Sequence, residues 1–308
     1  MRIVVFGAGM QGTLYGARLA CVGHEVTLVA RGRRAEELRR DGAIIENALT
    51  GARVVSRVTV ANALHPETSA DLCLVTVRRD QLAAAWEEVS AGRGLARVLI
   101  MVNHAGSVSP AFDARDRNWS VLGFPGAAGS IADGVDQYVE IRPQPTVIEA
   151  SAPDVGFALR QAGFKVALVA DMPSWLSRHA VFITAIGGAL CQSGLDAQRL
   201  GADSELVHTL IRAVREGWAA MDRRGIGPAP WALRAIFQWV PSPFAVAYWS
   251  RLLRSQRGEY YFAGHIRHAL KELAVLASDV RGVLPVDELP ALSRLYAAIG
   301  ATAPTHAP

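Results

Sequence analysis

The chain has 308 residues, 51% of them hydrophobic and 19% charged, with a net charge of +4. It is long enough for two domains of ordinary size and apolar enough for a large buried core, which excludes disorder. Its 32 basic residues form no basic run interleaved with aromatics, so nucleic acid is not an expected partner. Arg2-Ile3-Val4-Val5-Phe6 is a continuous, largely β-branched run and predicts a strand buried on both faces. Gly7-Ala8-Gly9-Met10-Gln11-Gly12 follows at once, and a helical pattern through Leu14, Ala17 and Ala20 then stops at Gly23. Residues 25–30 predict a second strand, which completes a β-α-β unit in about 30 residues. Residues 71–77, 96–102 and 120–123 continue the alternation, and 166–169 is the last predicted strand. From Met172 onward the pattern is helical, with stretches at 175–191, 204–223, 231–239, 244–254, 259–281 and 289–299. The predicted fold class is therefore α/β: an N-terminal Rossmann domain over 1–170, with a doubly wound, mainly parallel sheet, and a C-terminal all-helical domain over 171–308.

Cys21, Cys73 and Cys191 fit neither a metal spacing nor a disulfide framework, which predicts a reducing, cytoplasmic setting. The richest apolar stretch, 180–190, is too short to span a membrane, so no membrane partner is expected.

A G-x-G-x-x-G pattern is weak alone and strong between a strand and a helix. Gly7 permits the tight turn, Gly9 lets a diphosphate approach the backbone, and Gly12 allows close helix–strand packing. With Ala8, Met10 and Gln11 these residues form the predicted cofactor loop, where the helix N-terminus offers free N–H groups to phosphate. A site for NAD carries an acid at the end of the second strand. This chain has Arg31, then Arg33 and Arg34, with no acid before Glu36. Guanidinium groups hold a 2′-phosphate, so NADP(H) is the predicted cofactor.

The run Ile3-Val4-Val5-Phe6-Gly7-Ala8-Gly9, with Leu14-Tyr15-Gly16-Ala17-Arg18-Leu19-Ala20 and Gly23-His24-Glu25-Val26-Thr27-Leu28-Val29-Ala30-Arg31-Gly32, resembles the ketopantoate reductase (2-dehydropantoate 2-reductase) family. The resemblance is dense over the first 35 residues and patchier through the rest of the Rossmann half. It implies a Rossmann domain followed by a helical domain, with an active site between them. It also implies that Arg78 and Gln81 lie near the cofactor and Asn103 near the nicotinamide and the substrate. His104 stands where the family has Gly. In the helical half the family carries Trp, then a catalytic Lys two residues on and an Asn four after that. Trp175 fits the start, but the other two positions hold Ser177 and Val181, and the chain has no lysine between Lys165 and Lys271. The chain departs from the resembled family's pattern there.

Reduction of a carbonyl needs a proton donor or a charge stabiliser. Ser177 and Thr184 can donate hydrogen bonds, and Arg178 can polarise a carbonyl or clamp a carboxylate. His179 falls about 200° round the helix from Ser177 and predicts a packed ring away from the site. Further on, Tyr261, His265, His268 and Glu272 share one flank of a predicted helix, with Glu272 spaced to orient His268. The resemblance implies a substrate-binding Glu, matched either by Glu259 or, from the other end of the helix, by the position of His265. The catalytic candidates are Ser177, Arg178 and His265. The substrate-binding candidates are Asn103, Glu259 and His268. No metal is expected, although His265, His268 and Glu272 have ligating chemistry.

These readings predict an NADP(H)-dependent oxidoreductase acting on a small-molecule carbonyl, 2-oxo acid-like substrate. The alternatives are a non-catalytic NADP(H)-binding sensor or partner protein, and a specialised-metabolism ketone or imine reductase with a different proton donor. A homodimer is the assembly that the Trp-rich helical half suggests.

Overall fold

The computed structural model describes residues 1–106, 119–141 and 143–302. They form two compact units. The first comprises Met1–Val102 and the chain from 119 to Met172. The second comprises residues 103–106 and the chain from Pro173 onward. The boundary expected at 170 thus falls at Met172, with one addition: the short segment after residue 102 belongs to the helical unit.

In the first unit the strands in chain order are β1 (Arg2–Phe6), β2 (Glu25–Val29), β3 (Ala43–Asn47), β4 (Arg53–Ser56), β5 (Thr59–Ala61), β6 (Ser69–Ala70), β7 (Leu72–Val75), β8 (Gly94–Leu95), β9 (Val98–Ile100), β10 (Ser120–Phe124), β11 (Ala127–Ala132), β12 (Val135–Glu140), β13 (Thr146–Glu149) and β14 (Val166–Val169). The helices are α1 (Met10–Cys21), α2 (Gly32–Asp41), α3 (Leu82–Ser90) and α4 (Pro153–Gln161). The main sheet has the order β14-β13-β10-β9-β7-β1-β2-β5. Every pairing in it is parallel except β10 with β13. β1 lies inside the sheet between β2 and β7, and Ile3, Val4, Val5 and Phe6 are all buried, as a strand covered on both faces requires.

A second sheet, β11-β12-β3-β4, was not legible in the chain. Three of its strands mix charged and apolar residues and the fourth, β11, is rich in Ala and Gly, so none shows the continuous β-branched run of β1. Tyr138 and Asp136 of β12 are buried, and Arg18 of α1 donates to the Tyr138 hydroxyl at 3.0 Å. Tyr15 of α1 stacks on Phe164 with ring centroids 4.1 Å apart, and its hydroxyl lies 2.5 Å from Thr146 Oγ1. Packing of α1 thus ties both sheets into one core.

From Pro173 on, the described residues of the second unit form helices joined by loops, with no strand among them. Its central helix α5 (Met172–Gln192) is buried at nearly every position from Trp175 to Leu190, as a helix apolar on all sides must be. Around it stand α6 (Ala197–Ala202), α7 (Ser204–Arg223) and the helix Ser242–Arg254, with Phe182, Phe237, Trp249 and Phe262 forming an aromatic core. The stretch expected as one helix over 259–281 is interrupted. It opens as a π-turn at Glu259–Ala263, continues as Gly264–His268, breaks at Ala269 (φ −130°) and resumes as Leu270–Val283. The apolar stripe runs across the break, which is why periodicity alone did not reveal it.

Candidate nucleotide site and the residues of the helical unit

The glycine-rich turn lies between β1 and α1. Gly7 has φ +104°, a conformation that side chains rarely adopt, and a Cβ there would meet Val77. At Gly12 a Cβ would lie 1.9 Å from the Gly7 carbonyl oxygen and 2.6 Å from Thr76 Oγ1, so only glycine lets the helix approach the strand. Gly9 is the N-cap of α1 and is exposed, and the space where its Cβ would point is open. The first N–H groups of α1 have no partner within the helix. Open space, free donors and the positive end of a helix dipole together suit a dinucleotide diphosphate. Met10 and Gln11 begin the helix, and Gln11 Nε2 donates to the Ala127 carbonyl at 2.6 Å.

Side chains brace the turn from beneath. Thr76 Oγ1 donates to the Gly7 carbonyl at 2.8 Å. Arg34 reaches under the turn, with Nε donating to the Ala8 carbonyl at 3.2 Å and Nη2 to Thr13 Oγ1 at 2.9 Å. This corrects the reading of 31, 33 and 34 as one phosphate-binding set, because the Arg34 side chain is only 16% exposed and points inward. Arg33, 89% exposed, pairs with Glu37 through Nε at 3.1 Å. Arg31 is 67% exposed and donates to Glu88 Oε2 at 2.5 Å and to the Asn62 carbonyl at 3.2 Å. Residue order gave no sign of Glu88, which reaches Arg31 from α3. Arg78 pairs with Asp80 at 3.0 Å, and Gln81 Oε1 accepts from the Arg78 backbone N–H at 3.3 Å. Near Arg34, burial pushes the Asp136 carboxyl well above the usual carboxylate range, while the Arg34 charge and a Leu14 backbone hydrogen bond pull the other way.

In the helical unit the structure joins two of the expected residues through the backbone. Ser177 Oγ accepts from the Gly106 N–H at 3.1 Å and donates to the Pro173 carbonyl at 2.9 Å. It thereby anchors the segment that carries Asn103, whose Oδ1 is buried without a hydrogen-bond partner. Arg178 has a structural assignment that the sequence did not foresee. It is 1% exposed and donates to the carbonyls of Gly227, Trp218 and Ile226 at 2.7, 2.8 and 2.6 Å and to Asp222 at 2.5 Å. Its guanidinium is thus engaged in tying α5 to the end of α7. Thr184 is buried against the Tyr296 hydroxyl at 2.5 Å. His179 stacks on Trp175 at 5.0 Å inside the core, in line with the packed ring expected from its helical angle.

His265 is half-exposed, with Nε2 3.6 Å from Glu272 Oε2, so the carboxylate that the spacing assigned to His268 stands beside His265. The break at Ala269 changes the register on which that assignment rested. His268 is exposed, and Glu259 pairs with Arg267. Among the described residues, no group of three His, Cys, Asp or Glu side chains converges to hold a metal ion. Among the same residues, no helix is long and apolar enough to cross a membrane.

A glycine turn of this form after an inner strand of a mainly parallel sheet, followed in sequence by an all-helical unit, is an architecture of the Rossmann class. Comparison with known proteins adds to this: residues 3–133 match the family model described as ketopantoate reductase PanE/ApbA. A 2-dehydropantoate 2-reductase of Pyrococcus horikoshii is 37% identical over 78 residues, a match that spans a quarter of this chain and a quarter of that relative's length. The fold extends over the whole chain. The structure of a PanE/ApbA family ketopantoate reductase from Ralstonia eutropha superposes with a TM-score of 0.74 at 18% identity, covering 98% of both chains. A D-mandelate dehydrogenase solved with NADH and anilino(oxo)acetate superposes with a TM-score of 0.74 at 15% identity, covering 98% of this chain and 97% of that one.

Proposed function

We propose that this protein is an NADP(H)-dependent oxidoreductase that moves a hydride between NADPH and the carbonyl of a small 2-oxo acid-like substrate. The observation that carries the reading is the braced glycine turn at the N-terminus of α1, with guanidinium groups and no carboxylate at residues 31–35. The coenzyme, when bound, supplies the hydride, and this chain's residues bind and orient. Gly7, Ala8, Gly9, Met10, Gln11 and Gly12 offer backbone to the diphosphate. Arg31 and Arg33 take the 2′-phosphate, with Arg78 and Gln81 nearby. Asn103 serves substrate or nicotinamide through its unpartnered Oδ1, and Glu259 and His268 are substrate-binding candidates. His265 beside Glu272 is the candidate proton donor. Ser177 acts by holding the segment of Asn103 rather than by proton transfer.

A second reading, NAD(H) as coenzyme, is favoured by Glu88, which already occupies Arg31. An exposed pair of this kind contributes about 0–1 kcal/mol, so a phosphate dianion can displace it. The fluorescence titration that separates the two readings uses NADPH and NADH on the same protein. NADPH should bind at least about tenfold more tightly, and the double variant Arg31→Ala/Arg33→Ala should abolish the difference. Tighter binding of NADH would establish the second reading, and binding of neither would remove both. Turnover of NADPH on a panel of 2-oxo acids, ketones and imines separates an enzyme from a non-catalytic binder. A homodimer belongs to the same reading, supported by the exposed rings of Trp231, Trp239 and Phe244.

A further inference from the structure

We propose that Arg34 is a positioning residue for the coenzyme's diphosphate, holding the Ala8–Gly9 peptide so that the Gly9 N–H faces outward. The inference rests on the reading of the turn as a dinucleotide site and gives Arg34 a role separate from recognition of the 2′-phosphate. Four hydrogen bonds fix its guanidinium. Nε donates to the Ala8 carbonyl at 3.2 Å and Nη2 to Thr13 Oγ1 at 2.9 Å, while Nη1 donates to the Gly134 carbonyl at 3.1 Å and to Glu37 at 3.3 Å. Thr13 Oγ1 itself donates to the same Ala8 carbonyl at 3.2 Å. Two donors, one from α1 and one from α2, therefore converge on one carbonyl. In a planar trans peptide the C=O and the N–H point in opposite directions. A carbonyl drawn inward turns its N–H outward, here toward the exposed side of Gly9, where a Cβ would meet nothing. Thr76 treats the preceding peptide in the same way through the Gly7 carbonyl. Donors set in advance remove an ordering cost from phosphate binding.

The test is calorimetric titration of NADPH and NADH on wild type, Arg34→Met, Arg34→Lys and Thr13→Val, with thermal melting of each. Arg34→Met should weaken both dinucleotides by about tenfold and leave their ratio unchanged. Thr13→Val keeps every charge and should weaken both by about three- to fivefold. Arg34→Lys keeps the charge without the fork and should resemble Arg34→Met. A loss confined to NADPH would assign Arg34 to the 2′-phosphate and overturn the proposal, as would wild-type affinity in Arg34→Lys. A lowered melting temperature with unchanged affinities in the folded variants would reduce Arg34 to a structural role and overturn it too. If Arg34→Met does not fold, Thr13→Val carries the test. If the wild type binds neither dinucleotide, the site reading falls while the peptide remains measurable. The Gly9 amide should then give one sharp NMR signal in the wild type and broaden in Thr13→Val and Arg34→Lys, and an unchanged signal in both would overturn the proposal.

Discussion

His179 lies flat against Trp175 with Phe182 across its edge, and burial lowers its pKa from 6.5 to about 3. Below pH 6.5 the unfolded chain takes up a proton that the folded chain refuses until about pH 3. The stabilising contribution is therefore complete above pH 6.5 and is lost progressively as pH falls. His179→Phe, which keeps a ring against Trp175, should flatten the dependence of unfolding free energy on pH in this window by up to about 1 kcal/mol per pH unit. Denaturant titrations at a series of pH values would check this, and an unaltered slope would mean that the ring takes up protons in the folded state. Arg178 teaches a complementary lesson. It stands next to Ser177, where the family that the sequence resembles carries a lysine, and by position it offers itself as a substitute. Its partners, Trp218, Asp222, Ile226 and Gly227, lie 40 or more residues away, so the sequence could not show that its hydrogen bonds were already committed.

At the scale of elements, the contact between β1 and α1 sets the geometry of the turn. Gly12→Ala forces a methyl group against the Gly7 carbonyl, and the backbone oxygen cannot swing aside as a flexible side chain would. The variant should lose about 1–3 kcal/mol of stability and bind neither dinucleotide measurably, as melting and titration would show. The elements of this half were legible because strands buried on both faces leave continuous apolar runs, and because glycine spacing marks the first crossover. The second sheet was not legible. β3 and β12 pair across a sequence gap of about ninety residues, and buried Asp136 breaks the alternation that would have announced a strand. Nor could the three arginines after β2 be told apart. What turns Arg34 inward is a carbonyl at Gly134, 100 residues further on.

Over the whole molecule, each unit has its own hydrophobic core, but the division does not follow the sequence in one cut. Ala105, 4% exposed, packs in the core of the helical unit, and Gly106 is bound to Ser177. Ser177→Ala should speed amide exchange at Gly106 by about fivefold, the equivalent of about 1 kcal/mol, while Ser177→Thr preserves most of the protection. Hydrogen-exchange mass spectrometry would read this directly, and equal exchange in both variants would mean that the hydroxyl does not tether the segment. The two-part plan was visible in composition alone, because strand patterns cease near 170 and helical ones begin. This short excursion was not visible, since four residues carry no periodicity.

Its consequence is one of inheritance as much as of stability. A gene fragment opening at codon 173 would encode the helices without a piece of their own interior. Recombination that moved this half onto a different nucleotide-binding partner would have to transplant two separate stretches of coding sequence, and a crossover that carried only the longer one would leave Ser177 without the amide it holds.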